Sequence, residues 1–374
     1  MIPFEIARYF QPTLIIIILF LSLLALQKWN NMNAGEIIYR NKTNIFILSF
    51  FCLLFCIIIG NRPPSGFLFG DTAQYARGFY DAQMYGETLV AEREGEWVFK
   101  LITLFCAKYG NLGFYFTVID IGYVFFAMFG IYRLFKNNAY GGMLFFLGAF
   151  SFFTYGTNGL RNGLATSMII LALSFVVTPK KKWIVAIIIG LLALGIHRSV
   201  ALPIVCFFVA YFIKDPKKAI YFWFFSIFLF LTMRGTIENI FSSIGFDDRL
   251  AGYINNSENY AERGLKTGFR PDFLIYSFMP IWLGWFVIKN SYVSNNSTFS
   301  LLLKTYIFAN SFWVMIMNAA FSNRFAYLSW FLYPIVIAYP CLRMNVWEDK
   351  QGQKAGYILL AHTCFTVFMD FIYY

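Results

Sequence analysis

Apolar residues in this chain come in runs long enough to cross a bilayer, separated mostly by short polar turns. A crossing helix needs about 20 predominantly apolar residues. The pattern predicts helices near residues 12–27, 44–60, 112–134, 140–157, 160–178, 183–196, 199–213, 219–233, 272–288, 298–318, 325–342 and 355–373. That is an all-α polytopic membrane protein of about twelve crossings, in one transmembrane domain over 1–374. Two connections are long, 61–111 and 234–271, and the rest are short. Inside the first, Trp97, Val98, Leu101, Ile102, Leu104 and Phe105 fall on one broad helical face, which predicts a helix lying in the membrane interface.

Composition supports this reading. Of 374 residues 59% are hydrophobic and 13% charged, whereas soluble domains average about a quarter charged. The first apolar run has only Arg8 as a basic flank and no small-residue cleavage signal, so it reads as a retained helix. Six cysteines are spread out with no C-x-x-C pair, which predicts neither a disulfide framework nor a zinc site.

Charge orients the bundle. Lys28, Arg40, Lys42, Arg133, Lys136, Lys180, Lys181, Lys182, Lys214, Lys217, Lys218, Lys289, Lys304, Arg343, Lys350 and Lys354 fall on one side, against the acids Glu36, Asp215, Glu348 and Asp349. The opposite side is balanced. The positive-inside rule makes the first side cytoplasmic, and both termini and both long connections then face outward. The net charge of +11 is accordingly a topology signal, and no nucleic-acid partner is expected. The cytoplasmic turns are short, and neither a P-loop nor a dinucleotide fingerprint occurs. Chemistry driven by ATP is therefore disfavoured, and the chemically varied residues lie on the outer face.

The stretch GIHRSVALP sits at the tip of a hairpin that is too short. Lys182 and Lys214 enclose 31 residues for two crossings, or about 22 Å per arm at 1.5 Å per residue. The hydrocarbon is about 30 Å thick, so His197 and Arg198 stop below the outer surface. Ionisable groups at such depth normally face a bundle interior or a water-filled cavity.

Two more basic groups reach the same level. Arg161, in GTNGLRNGLATS, lies 19 residues before Lys180, about 28 Å along a helix. Arg324, in AAFSNRFAYLSW, opens a helix from the outer side. Together they predict a pocket for a lipid-linked anion, because arginine suits phosphate through two parallel hydrogen bonds.

The outer connections supply acids and aromatics. The first carries Asp71, Tyr75, Arg77, Tyr80, Asp81 and Glu96. The second carries Asp247, Asp248, Arg249, Tyr253, Glu258, Tyr260, Glu262, Arg263, Lys266 and Arg270. Aromatics with carboxylates commonly hold sugars, but most of these charges read as a solvated loop. Asp71 and Glu96 stand out by lying near the membrane among apolar residues. Tyr75, Asn158 and Tyr327 are candidate substrate contacts beside these groups.

Three stretches carry a family resemblance: FGDTAQY with EGEWVFKLITLF, then NGLRNGLATSMIILALSF with KKKWIVAIIIGLLALGIHRSVALP, and NRFAYLSWFLYPIVIAYP. Together they resemble the EpsG-type branch of the Wzy polysaccharide polymerases, over about residues 65–340. Where that family has a small residue after the hairpin histidine, this chain has Arg198. The resemblance implies a GT-C-like helical bundle with an extracytoplasmic active-site cavity in the bacterial plasma membrane. It implies joining of oligosaccharide repeat units carried on undecaprenyl diphosphate, which would be both donor and acceptor. It implies no nucleotide sugar, no metal and no cofactor, and a chain-length regulator as protein partner. Arg161 and Arg324 would then bind the diphosphate, with Arg198 and Arg270 as helpers. Asp71, Glu96 or His197 would take the acceptor proton, the two carboxylates being preferred.

Two other readings share the composition. An O-antigen ligase uses the same leaving group. A lipid-linked oligosaccharide flippase is a transporter, and it would place ionisable groups near the midplane, where Asp120 and His362 are the candidates. The topology itself makes a prediction. A cysteine at Asp81 should react with a membrane-impermeant maleimide in intact cells, and one at Lys181 only after permeabilisation. The reverse pattern would invert the bundle.

Overall fold

The computed structural model describes residues 1–40, 42–86, 95–178, 180–243, 252, 268–289 and 296–373. The described residues are helical, and no strand occurs among them. The principal helices are α1 Phe10–Trp29, α2 Ile45–Gly60, α3 Thr72–Tyr85, α4 Trp97–Tyr109, α5 Leu112–Phe135, α6 Ala139–Leu147, α7 Phe150–Thr157 and α8 Leu160–Val176. Then follow α9 Trp183–Ile196, α10 Ala201–Phe212, α11 Pro216–Ser243, α12 Pro271–Lys289, α13 Ser297–Met315, α14 Asn323–Trp330, α15 Tyr333–Arg343 and α16 Gln351–Phe368. Among the described residues, five helical stretches are long and apolar enough to cross a membrane: Phe4–Trp29, Leu112–Leu147, Pro271–Lys289, Asn323–Arg343 and Glu348–Ile372. Ile45–Gly60, Leu160–Val176, Trp183–Ile196 and Arg198–Phe212 are apolar but shorter.

Helix stands wherever the apolar runs predict it, with two runs broken. The run at 140–157 divides at Gly148 and Ala149, where Ala149 turns extended (φ −71°, ψ 134°). Ending α6 there leaves its last carbonyls without intrahelical partners, and α16 supplies them. His362 Nε2 donates to the Phe145 carbonyl at 3.0 Å and Thr366 Oγ1 to that of Gly148 at 2.7 Å. The run at 325–342 divides after Trp330, just before Pro334, whose ring is tolerated only in the first turn of α15. Most of the 234–271 connection lies outside the described residues, with Asp247, Asp248, Arg249, Tyr253, Glu258, Tyr260, Glu262, Arg263 and Lys266.

The chain divides into two compact units, Met1–Val200 with Ala338–Tyr374, and Ala201–Ile337. In the first, α5 is the axis on which α2 and α8 pack. The α2–α5 crossing is tight. A Cβ placed on Gly60 would lie 2.5 Å from Thr117 Cα and 2.7 Å from its backbone nitrogen. Backbone cannot yield as a side chain can, so glycine is required there.

In the second unit α13 is the axis, and nearly every side chain from Thr298 to Met315 is buried. Asn310 ties its neighbours together. Its Oδ1 accepts from Trp223 Nε1 of α11 at 2.8 Å, and its Nδ2 donates to Ser277 of α12 and Ser329 of α14 at 3.0 Å each. Trp330 Nε1 also reaches the Ser277 hydroxyl at 2.8 Å. A satisfied buried network fixes one arrangement of helices, whereas an orphaned member costs about 1–3 kcal/mol. The Tyr276 and Tyr333 rings stack beside it at 4.2 Å.

Outward faces carry large apolar side chains, including Phe46, Phe50 and Phe51 on α2 and Ile184, Ile188 and Leu191 on α9. Exposed apolar area on this scale marks a surface covered by something other than water, as a bilayer would do. Gly60→Ala is expected to destabilise the protein by about 1–3 kcal/mol through overpacking. Thermal unfolding in detergent checks it against Gly190→Ala, where nothing stands within 4 Å and the midpoint should not fall.

Candidate functional site

Helix α4 begins immediately after Glu96, and its inward face decides what that residue meets. Phe99, Thr103, Cys106 and Ala107 are buried. Trp97, Leu101, Phe105 and Tyr109, four residues apart, form an exposed stripe. The apolar face read from the sequence, Trp97, Val98, Leu101, Ile102, Leu104 and Phe105, stays exposed or half-buried, and the opposite row turns inward. What turns the helix is aromatic packing: Phe99 meets the rings of Tyr75 and Tyr115 at 5.9 and 6.4 Å, and the Thr103 and Tyr115 hydroxyls lie 3.2 Å apart. Burial pushes the Cys106 thiol up to about 11, which keeps it protonated and a poor nucleophile.

The Glu96 carboxylate is buried and accepts from two donors. Arg161 Nη1 donates to Oε2 at 2.6 Å, and His197 Nδ1 donates to Oε1 at 2.7 Å. Both distances lie in the short range typical of charge-assisted bonds. Arg161 stands second in α8, and its side chain keeps 16% exposure while that of Glu96 keeps 2%. The guanidinium carbon also sits 5.6 Å from the Tyr75 ring and 5.8 Å from that of Phe99. His197 ends α9 and is buried, in extended backbone (φ −152°, ψ 114°) that separates α9 from the turn at Arg198–Val200. The end of α9 and that turn pack against the residues flanking Glu96. A Cβ on Gly195 would lie 2.6 Å from Val98 Cγ2, and one on Gly95 would lie 2.5 Å from Arg198 Nε. Gly95 also has φ +91°, a conformation in which side chains are rare. Arg198 is itself exposed.

Asp71 and Asn158 are joined differently. The Asp71 amide donates to Asn158 Oδ1 at 2.8 Å, and Thr72 Oγ1 donates to the Thr157 carbonyl at 2.8 Å. Asp71 therefore starts α3 against the turn that leads into Arg161. Glu96, Arg161, His197 and Tyr75 form one cluster, with Asn158 and Asp71 tied to the chain three residues and more before Arg161.

Arg270, Arg324 and Tyr327 lie in the second unit. Arg270 is engaged by Asp272 through Nε at 3.0 Å and Nη2 at 2.6 Å, and stacks 3.9 Å over Phe273. Its planar fork thus already holds a carboxylate. Arg324 is half-buried in the first turn of α14, 5.2 Å from the Phe321 ring. Tyr327 follows one turn later, its ring 5.4 Å from Trp330.

Sequence reading missed Arg62, which is fully buried. Its Nη1 donates to Asp120 Oδ2 at 2.7 Å and to the Ile59 carbonyl at 2.9 Å, and its Nη2 donates to the Gly156 carbonyl at 3.0 Å. The signal was an acid, Asp120, inside an apolar run; its partner 58 residues away could not be read from periodicity. Among the described residues no group of three His, Cys, Asp or Glu side chains stands close enough to hold a metal ion.

The arrangement can hold an anion beside a cation whose position is fixed by a buried carboxylate, and can set a histidine ring next to it. No curated protein and no solved structure matches the chain. The family model described as the EpsG family matches residues 44–374. That span covers the Glu96 cluster, the Arg62–Asp120 pair and every candidate site residue, and it carries a role of the polysaccharide-polymerase type. The chain belongs to the EpsG family, that of the EpsG-type polysaccharide polymerases.

Proposed function

We propose that this protein joins oligosaccharide repeat units carried on undecaprenyl diphosphate, in the bacterial plasma membrane with its site on the extracytoplasmic side. The observation that carries the reading is the Glu96 carboxylate held between Arg161 and His197. In the transfer, the bond between the donor's anomeric carbon and the diphosphate oxygen breaks. The acceptor hydroxyl oxygen forms a new bond to that carbon, its proton goes to a base, and lipid diphosphate leaves. Negative charge grows on the leaving oxygen, and preplaced donors in a dry site stabilise such charge. Arg161 takes that role. A guanidinium carries five N–H donors in one plane, so it can hold Glu96 and a diphosphate oxygen together. Arg324 is the second diphosphate contact, and Arg198 an exposed helper.

Glu96 becomes the positioning carboxylate, because both of its oxygens are engaged. The acceptor proton then falls to His197 or Asp71. With Nδ1 held by Glu96, the His197 ring would take a proton through Nε2, and the carboxylate would steady the cation that forms. Tyr75, Asn158 and Tyr327 are assigned to substrate contact. Twelve crossings in a GT-C-like bundle, and a chain-length regulator as protein partner, complete the proposal.

The engagement of the midspan candidates supports an enzyme over a flippase. Asp120 is paired with Arg62, and His362 completes the end of α6, so both have packing roles. The discriminating experiment gives purified protein a lipid-diphosphate-linked repeat unit. A ladder of longer products is expected, unchanged by chelator. No ladder, with the unit instead crossing protein-containing vesicles, would replace the reading by transport.

Within the cluster, Arg161→Ala should abolish long glycan with protein still in the membrane, and Arg161→Lys should restore little, because the planar fork is lost. His197→Ala should slow transfer by about 10²- to 10⁴-fold if it is the base. Asp81→Asn should leave the ladder at wild-type length. Gel profiles of surface glycan at matched protein level check all four.

A further inference from the structure

Three consecutive residues before Arg161 are each held from one segment of the first connection. Arg62 Nη2 binds the Gly156 carbonyl at 3.0 Å, Thr72 Oγ1 binds the Thr157 carbonyl at 2.8 Å, and the Asp71 amide binds the Asn158 side chain at 2.8 Å. These residues end α7, and Leu160 begins α8. The turn needs outside partners because helix ends leave carbonyls unsatisfied. The amides of Asn158 and Gly159 share one acceptor, the Thr154 carbonyl, at 2.9 Å each.

Arg62 is the member that links this turn to the axis of the unit. Its Nη1 spans the Asp120 carboxylate and the Ile59 carbonyl, so the guanidinium joins α2, α5 and the end of α7. The Phe116 ring lies 4.7 Å from its central carbon. Both charges are nearly inaccessible, at 0% and 2% exposure. Isolated pairing at such depth is a weak source of stability, since desolvation cancels most of the attraction. Its geometric effect is the larger one: a rigid fork fixes the Gly156 carbonyl relative to α5.

We propose that the Arg62–Asp120 pair is a positioning device that sets the 156–158 turn, and with it the Arg161 guanidinium, against Glu96. The proposal rests on the reading of Arg161 as a diphosphate contact. The pair acts through the backbone of the turn and touches no substrate. A displacement of about 1 Å at a reacting group can cost about 10²-fold in rate, so a modest slackening of the turn is enough.

The test replaces the pair by apolar side chains, Arg62→Met with Asp120→Leu, in the full-length protein. Such replacements of buried ion pairs are often neutral or stabilising, so the unfolding midpoint in detergent should stay near wild type. Turnover of the lipid-linked repeat unit should fall about 10- to 100-fold. Wild-type turnover in a folded double variant would reduce the pair to packing. Arg62→Lys, which keeps the charge beside Asp120 but cannot fork to the Gly156 carbonyl, serves if the double variant does not fold. It should show the same loss.

A double-mutant cycle ties the effect to its target. Arg62→Lys added to Arg161→Lys should cost under about threefold beyond Arg161→Lys alone, whereas independent sites would multiply. Full multiplication would overturn the route through Arg161. Amide exchange gives a readout that needs no activity. Exchange at Asn158 and Gly159 should quicken at least about tenfold in the Arg62 variants while the middle of α5 keeps its protection. Unchanged exchange there overturns the positioning role. If Arg161→Lys is itself fully active yet exchange at the turn quickens, the diphosphate reading fails and the turn-setting role stands.

Discussion

A carboxylate removed from water must have its charge met, or it protonates. Glu96 is buried, and its two oxygens take one donor from Arg161 and one from His197. This double pairing brings together the starts and ends of three helices: Glu96 precedes α4, Arg161 opens α8 and His197 closes α9. The three residues lie far apart in sequence, and only the carboxylate's demand for two partners makes one site of them. It also divides labour among them. The acid is occupied by its neighbours, the arginine keeps part of its surface exposed, and the histidine ring has a fixed orientation.

Around this centre the first unit is arranged to keep small displacements small. Aromatic side chains wall the site: Tyr75 and Tyr115 each meet Phe99 edge-on, and the Arg161 guanidinium leans on Tyr75 and Phe99. Guanidinium groups gain from aromatic faces when desolvated, so the same packing that buries Glu96 steadies its partner. Behind the wall, the 156–158 turn is held residue by residue. The second unit uses a different device. A single amide, Asn310, satisfies groups on three neighbouring helices, and it fixes α14, which carries Arg324 and Tyr327.

Arg270 and α4 show how near and distant partners complete a local pattern. Arg270, expected to help hold an anion, is engaged by Asp272, two residues on, through Nε and Nη2. The apolar face expected on α4 stays exposed or half-buried from Trp97 to Phe105, and the opposite row beginning at Phe99 turns inward. In both cases residue types were read correctly. What the inward row of α4 meets depended on elements elsewhere in the chain, whereas the partner of Arg270 is its near neighbour.

The sequence by itself determined the class of this protein, because a period of about 20 apolar residues leaves helix as the only economical backbone arrangement in lipid. It placed most of the apolar helices within a few residues, though not α3 or the far end of α11, and it marked Glu96, Arg161 and His197 as polar groups in unusual places. The tertiary structure decided their relations. That Glu96 faces both Arg161 and His197, that Asp120 is met by Arg62, and that α6 stops where His362 and Thr366 can receive it are consequences of which helices lie side by side. Hydrophobic periodicity tells each helix which face to bury but not against whom. The pairing of buried charges is settled by the packing of whole helices around α5, a contest among distant segments that no local window of residues contains.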